Sequence, residues 1–240
     1  DALAYDDTYP KDFCEFDGVS GSYVSVPSAA NLNGLTDFVM EAKDVYIDDW
    51  ADSGSEVFFA KWGSGGLSYI FRKYDNRINL YVTIDGAAAA GYLFNHGLTG
   101  AATASVKLTR SGSTLSAQID TGSGYVTIGS DLTIAAGAIL TSGTPIEVGA
   151  RYGGVLNMLN GRIGQARIWS DATQTTNVLD IDFSTANARN NLAETGQILT
   201  YNGGAAIPLS TLANPMFQRD DSWTRLFEVG LNDSDAAKQI

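Results

Sequence analysis

Residues 160–170, NGRIGQARIWS, limit the fold more than any other stretch because their apolar side chains change parity partway along. Ile163 and Ala166 are three positions apart, whereas Ala166 and Ile168 are two apart. Successive side chains of a strand point to opposite faces. A strand keeps all three of these residues on the core side only by taking in one extra residue. The spacing therefore predicts a buried strand with a bulge at Gly164-Gln165, where glycine supplies the backbone freedom of a sharp bend.

Period-two patterns fill most of what precedes this stretch. Two short strands lie within 13–26, joined by the glycine-rich turn 17–21, with Val24 and Val26 facing the core. Phe38, Met40 and Ala42 alternate with Val39, Glu41 and Lys43, and Val45 and Ile47 continue that strand. Residues 56–62 are apolar enough to be buried on both faces. The clearest hairpin joins 67–74 to 77–85 around Asp75-Asn76, with Ile78, Leu80, Val82 and Ile84 lining one face. A second hairpin joins 104–110 to 115–120 around Ser111-Gly112-Ser113, and further strands follow at 125–128, 145–150 and 178–184. The four alanines at 87–90 are too short a run for a helix and end at Gly91. The chain is all-β.

Composition narrows the partners. A net charge of −12 argues against a phosphate backbone, which is bound by clustered lysine and arginine. No apolar run approaches the roughly 18 residues that suggest a membrane span. Neither nucleic acid nor membrane insertion is expected. Cys14 is the only cysteine, so an internal disulfide is impossible, and between Phe13 and Phe16 it reads as a small buried hydrophobe. His96 is the only histidine and reads as a loop residue. It leaves no room for a histidine metal cluster or a Ser-His-Asp triad.

The bulged strand, with its G-x-I-x-x-A-R-I-W pattern, resembles the last strand of a laminin G-like, concanavalin A-like jelly roll. The segment containing Phe16-Asp17-Gly18 and Tyr23-Val24-Ser25-Val26-Pro27 resembles that family's opening strands, and Phe38-Val39-Met40-Glu41-Ala42 its next. The resemblance implies a two-sheet antiparallel jelly-roll sandwich over 12–184, with an N-terminal arm at 1–11 and a C-terminal extension at 185–240. The extension holds a hairpin-like unit at 197–207 and an apolar tail from 216. Its D-F-S…T-G-Q-x-x-T-x-N-G-G-A-A-I pattern is similar to extensions that follow laminin G-like domains in bacteriophage structural proteins.

Glycosidases with this sandwich carry E-x-D-x-x-E on one strand, which sets an acid and a nucleophile about 5 Å apart. That pattern is missing here, since Glu15, Glu41, Glu56, Glu147, Glu194 and Glu228 are scattered singly. Asp180 and Asp182 share a strand face and read as a solvated edge. No catalytic residue is assigned, and no cofactor is expected beyond a calcium ion. Trp50, Trp62 and Tyr152, with Asn157, are the candidates for sugar platforms and their polar partner. Asp48, Asp49 and Asp52 are the candidate oxygen ligands for Ca²⁺, although their spacing forms no calcium loop motif. The plainer reading of both groups is a solvated acidic turn beside aromatics half-buried against the sheet. Trp169 reads as a packing residue.

The leading expectation is a non-catalytic virion structural protein, a bacteriophage capsid decoration or tail and fibre component on the virion surface. Tyr5, Tyr9, Phe217, Trp223 and Phe227 would grip other virion proteins or further copies as a homo-oligomer. The alternative is an extracellular lectin-like module that recognises a cell-surface glycan.

Overall fold

In a computed structural model of the chain, residues 13–64, 66–85, 87–183, 198–203 and 205 are described. The two expected arms, with Tyr5, Tyr9, Phe217, Trp223 and Phe227, lie outside them. The described residues form two antiparallel sheets. Strands β1 (Cys14–Asp17), β2 (Tyr23–Val26) and β3 (Phe38–Ile47) open the chain, and β4 (Ser55–Gly63), β5 (Gly66–Tyr74), β6 (Arg77–Val82) and β7 (Ala90–Asn95) form a meander. Next come β8 (Ala102–Ser111), β9 (Thr114–Asp120), β10 (Val126–Thr127), β11 (Leu132–Thr133) and β12 (Ile146–Val148). Then follow β13 (Asn160–Ile163), β14 (Gln165–Trp169), β15 (Asn177–Asp182) and β16 (Thr200–Asn202).

The seven-stranded sheet runs β16-β2-β12-β4-β5-β6-β7. The nine-stranded sheet runs β1-β13-β3-β8-β9-β10, with β11 also on β9 and with β14 bridging β3 to β15. Alternate residues of both sheets meet between them. Phe16, Phe38, Phe58, Phe59, Phe71, Leu80, Val106, Leu108, Ile168 and Phe183 are buried in one continuous core. Each such side chain contributes roughly 1.5–3 kcal/mol by leaving water. The expected jelly-roll sandwich is the observed architecture.

The parity change falls where the spacing placed it. The strand breaks at Gly164 into β13 and β14, and Ile163, Ala166 and Ile168 are all fully buried. The irregularity has a twin across the sheet. Arg162 pairs with Tyr46 and Gln165 with Lys43, so β3 and the β13–β14 ladder stay in step. The extra residue appears only against β8, where Ala42 pairs with Val106 but Val45 with Ala104. Asp44 carries the bend at φ 52°, and its N–H donates to Ser105 Oγ at 3.0 Å.

Strand β16 comes from the stretch assigned on sequence to the extension. It pairs with β2 through Thr200–Ser25 and Tyr201–Val24, and Leu199 and Ala205 enter the core. Asn202 Nδ2 also donates to the carbonyl of Tyr23 at 3.3 Å.

Candidate functional site

The outer face of the seven-stranded sheet collects most of the chemistry. Strand alternation sends Val57, Ala60 and Trp62 of β4 and Ile70 of β5 outward, away from the main core. They form a second buried cluster against which Tyr81 and Ala89 pack. Trp62 meets Tyr81 with ring centroids 5.2 Å apart. Arg72 and Tyr74 continue the outward row of β5, and Arg77, Asn79 and Tyr81 form that of β6.

The turn that follows β12 crosses this face. Arg151 and Leu156 exchange two backbone hydrogen bonds of 3.2 Å. The turn is tied to β4 at both ends, for the Tyr152 N–H donates to the Trp62 carbonyl and the Val57 N–H to the Asn157 carbonyl, each at 3.1 Å. Glu147 fixes its middle: the buried carboxylate accepts the Gly153 N–H at 2.7 Å and the Gly154 N–H at 3.3 Å. Burial raises the Glu147 pKa, while those two bonds hold it down. Tyr152 (φ 63°) and Asn157 (φ 54°) occupy left-handed backbone that side chains disfavour, each at a cost of roughly 1 kcal/mol. A short turn that holds two such residues is over-determined by its tethers.

Arg72, Asn79 and Arg151 on this face are oriented by neutral partners. Arg72 donates from Nε to Asn79 Oδ1 at 2.9 Å and from Nη1 to Ser55 Oγ at 3.1 Å, while Asn79 Nδ2 donates to the Tyr92 carbonyl at 3.0 Å. Its guanidinium lies 4.5 Å from the Tyr74 ring centroid. Arg151 Nε donates to Asn157 Oδ1 at 2.6 Å. Both guanidinium pKa values are lowered, first by burial, and that of Arg72 further by the charge of Arg151. Tyr74 and Tyr152 are exposed at 38% and 44%.

Of the four residues expected to meet a sugar, the structure groups Trp62, Tyr152 and Asn157 and removes Trp50. Trp50 is fully buried in the main core, at 6.3 Å from Phe58, and its Nε1 donates to the Ala102 carbonyl at 2.9 Å. An indole with its N–H satisfied inside a core offers no platform. Trp62 is 7% exposed and serves as floor instead of surface. Tyr74 takes the exposed aromatic role, and it was missed because alternation along β5 does not reveal which face looks outward.

The three aspartates do not assemble a cation site. Among the described residues no group of three or more acidic, cysteine or histidine side chains is placed to hold a metal ion. Asp49 Oδ1 accepts the Ala51 N–H at 2.9 Å, Asp52 Oδ1 accepts the Gly54 N–H at 3.1 Å, and Asp52 pairs with the buried Lys73 ammonium. Asp49 thus turns one oxygen to its own turn, and Asp52 one to its turn and to Lys73. Asp48 lies close enough to Glu56 for its charge to raise that residue's pKa.

Asp180, expected on a solvated edge, lies on the edge strand β15 but is half-buried. It accepts hydrogen bonds from Gln165 Nε2 at 3.0 Å and Asn177 Nδ2 at 3.2 Å, and burial raises its pKa. Nearby, Glu41 accepts the Tyr125 hydroxyl at 2.6 Å and pairs with Arg167 at 2.8 Å. This network on the nine-stranded sheet binds its own members and leaves the opposite face as the candidate site.

No family model and no curated protein matches the sequence. Among solved structures the chain is similar to the CBM40 of Ruminococcus gnavus IT-sialidase bound to α2,3-sialyllactose. That match has 12% identity over 66% of this chain and 90% of that one, with a TM-score of 0.49. It is also similar to the heptameric SAP-like pentraxin of Limulus polyphemus, at 12% identity over 83% and 94% of the two chains and a TM-score of 0.47. Domains LG4-5 of mouse laminin α1 match at 13% identity over 74% and 48%, with a TM-score of 0.48. These likenesses are of overall fold alone; the two antiparallel sheets of this chain are by themselves the sandwich that the sequence resemblance implied.

Proposed function

We propose that the protein is a non-catalytic, extracellular carbohydrate-binding module whose binding surface is the outer face of the seven-stranded sheet around the 151–157 turn. One observation carries this reading. Two exposed tyrosines, Tyr74 and Tyr152, stand beside planar donors, Arg72 and Arg151, that neighbouring amides hold in fixed directions. Sugar rings offer C–H faces that stack on aromatics and hydroxyls that pair with planar polar groups, so this mixture suits them. The tethers of Glu147 and β4 hold the turn in place before any ligand arrives, which lowers the entropy cost of binding. A glycan array tests the reading. Saturable binding to a defined glycan, weakened roughly tenfold or more by Tyr152→Ala and by Tyr74→Ala with the thermal midpoint unchanged, is the expected result. Failure of the full chain to bind any glycan would overturn it.

The likeness of 182–207 to bacteriophage extensions supports a second reading at the level of assembly. In it the sandwich is displayed on a virion surface, and Tyr5, Tyr9, Phe217, Trp223 and Phe227 grip other virion proteins or further copies of the chain. Deleting 216–240 then leaves a folded, soluble sandwich that no longer attaches to particles, seen by co-sedimentation. Full attachment of the shortened protein rejects this reading.

A further inference from the structure

We propose that the sugar this face recognises carries a carboxylate, gripped jointly by Arg72 and Arg151; the inference rests on the glycan-binding reading above and names its ligand class. The chain is strongly acidic, at −12, and among the described residues the other outward-facing arginines find carboxylates: Arg77 pairs with Asp75, Arg162 with Glu15 and Arg167 with Glu41. Among the described residues, Arg72 and Arg151 have no carboxylate within ion-pair distance. The acid nearest in effect to Arg72 is Asp75, which is engaged with Arg77. Every side-chain hydrogen bond that these two guanidiniums make goes to a neutral oxygen, of Asn79 and Ser55 for Arg72 and of Asn157 for Arg151. Neutral partners set the direction of a guanidinium without neutralising it.

The fold brings the pair together. Arg72 stands opposite Val57 in the β4–β5 register, the Val57 N–H is bound by the Asn157 carbonyl, and the Asn157 side chain receives Arg151. Two half-buried like charges on one small patch repel each other, and an anion between them removes that penalty. Arg151 uses only Nε, so its two terminal nitrogens remain open among the described residues as a parallel fork that matches the two oxygens of a carboxylate. Tyr74, stacked with Arg72, and Tyr152, next to Arg151 in the turn, are both exposed to accept the sugar ring, so the site reads an acidic sugar and not a bare anion.

The test uses the full chain on an array of neutral, carboxylated and sulfated glycans, followed by titration calorimetry with the best ligand and its methyl ester. Binding to carboxylated glycans is expected, weakened roughly ten- to a hundredfold by esterification, and by a similar factor in Arg151→Gln and Arg72→Gln. The ester arm needs no variant, so it stands even where Arg72→Gln disturbs the sheet. Binding to neutral glycans that neither arginine substitution alters overturns this proposal and leaves the glycan reading intact. A preference for sulfated glycans over carboxylated ones also overturns it. Absence of binding to every class removes both.

Discussion

At the residue scale, a half-buried carboxyl and a buried imidazole set opposing responses to pH. Glu56 is opposite Lys73 in the register, its Oε2 is buried without a hydrogen-bond partner, and burial with the charge of Asp48 pushes its pKa from 4.5 up to about 7. His96 packs edge-on against Trp50 at 5.3 Å and accepts the Leu98 N–H on Nδ1 at 3.0 Å. Burial and the Lys73 charge hold its pKa down from 6.5 to about 4. A carboxyl raised on folding contributes stability that is present below 4.5 and lost as pH rises through 7. An imidazole depressed on folding contributes stability that is present above 6.5 and lost as pH falls through 4. Between 4.5 and 6.5 the two slopes oppose each other. Glu56→Gln is therefore expected to expose the histidine slope, with the urea midpoint rising with pH across that window. His96→Asn should expose the opposite slope. Parallel profiles for the wild type and both variants would reject this assignment. The expectation that His96 is a loop residue holds, since it follows β7, but its burial at 6% exposure depends on the distant Trp50 and is invisible in Phe94-Asn95-His96-Gly97.

At the scale of elements, the 151–157 turn owes its shape to Glu147, a charged residue at an outward position of a short, buried strand. Glu147→Gln leaves one oxygen to accept from Gly153 and Gly154 where the carboxylate has two. Amide exchange at those glycines is expected to quicken, with a stability loss of roughly 1–3 kcal/mol. Protection unchanged from wild type would mean that the backbone bonds to Trp62 and Val57 suffice. Local pattern reveals some of this level and not the rest. The parity shift through Ile163, Ala166 and Ile168 was legible because burial of a strand is written at period two in its own residues. The matching bend at Asp44 was not, since the demand comes from pairing with β8. The hairpin around Asp75-Asn76 was readable from the turn residues, and Asp75 indeed takes φ 50°. That Arg72 and Arg151 share a patch follows only from the order β12-β4-β5, which no local spacing encodes.

At the scale of the whole molecule, the sandwich recruits β16 from beyond residue 183, with Leu199 5% exposed and Tyr201 meeting Phe183 at 6.4 Å. A chain ending at 183 exposes the edge of β2 and forfeits that leucine, and is expected to lose about 2–3 kcal/mol of stability in urea. Equal midpoints for this chain and the full one would show that β16 only decorates the edge. The arrangement of strands carries a consequence for synthesis. Strand β1 is partnered by β13, and β2 by β12 and β16, so β1 and β2 leave the ribosome more than a hundred residues ahead of their partners. Non-local pairing of this kind slows folding and leaves early strands unsheltered. The nascent chain is consequently most vulnerable to aggregation and proteases during translation, and the β4–β7 meander, whose internal pairings β4–β5, β5–β6 and β6–β7 all join neighbours, is the segment able to acquire structure before β12 arrives to pair with β4.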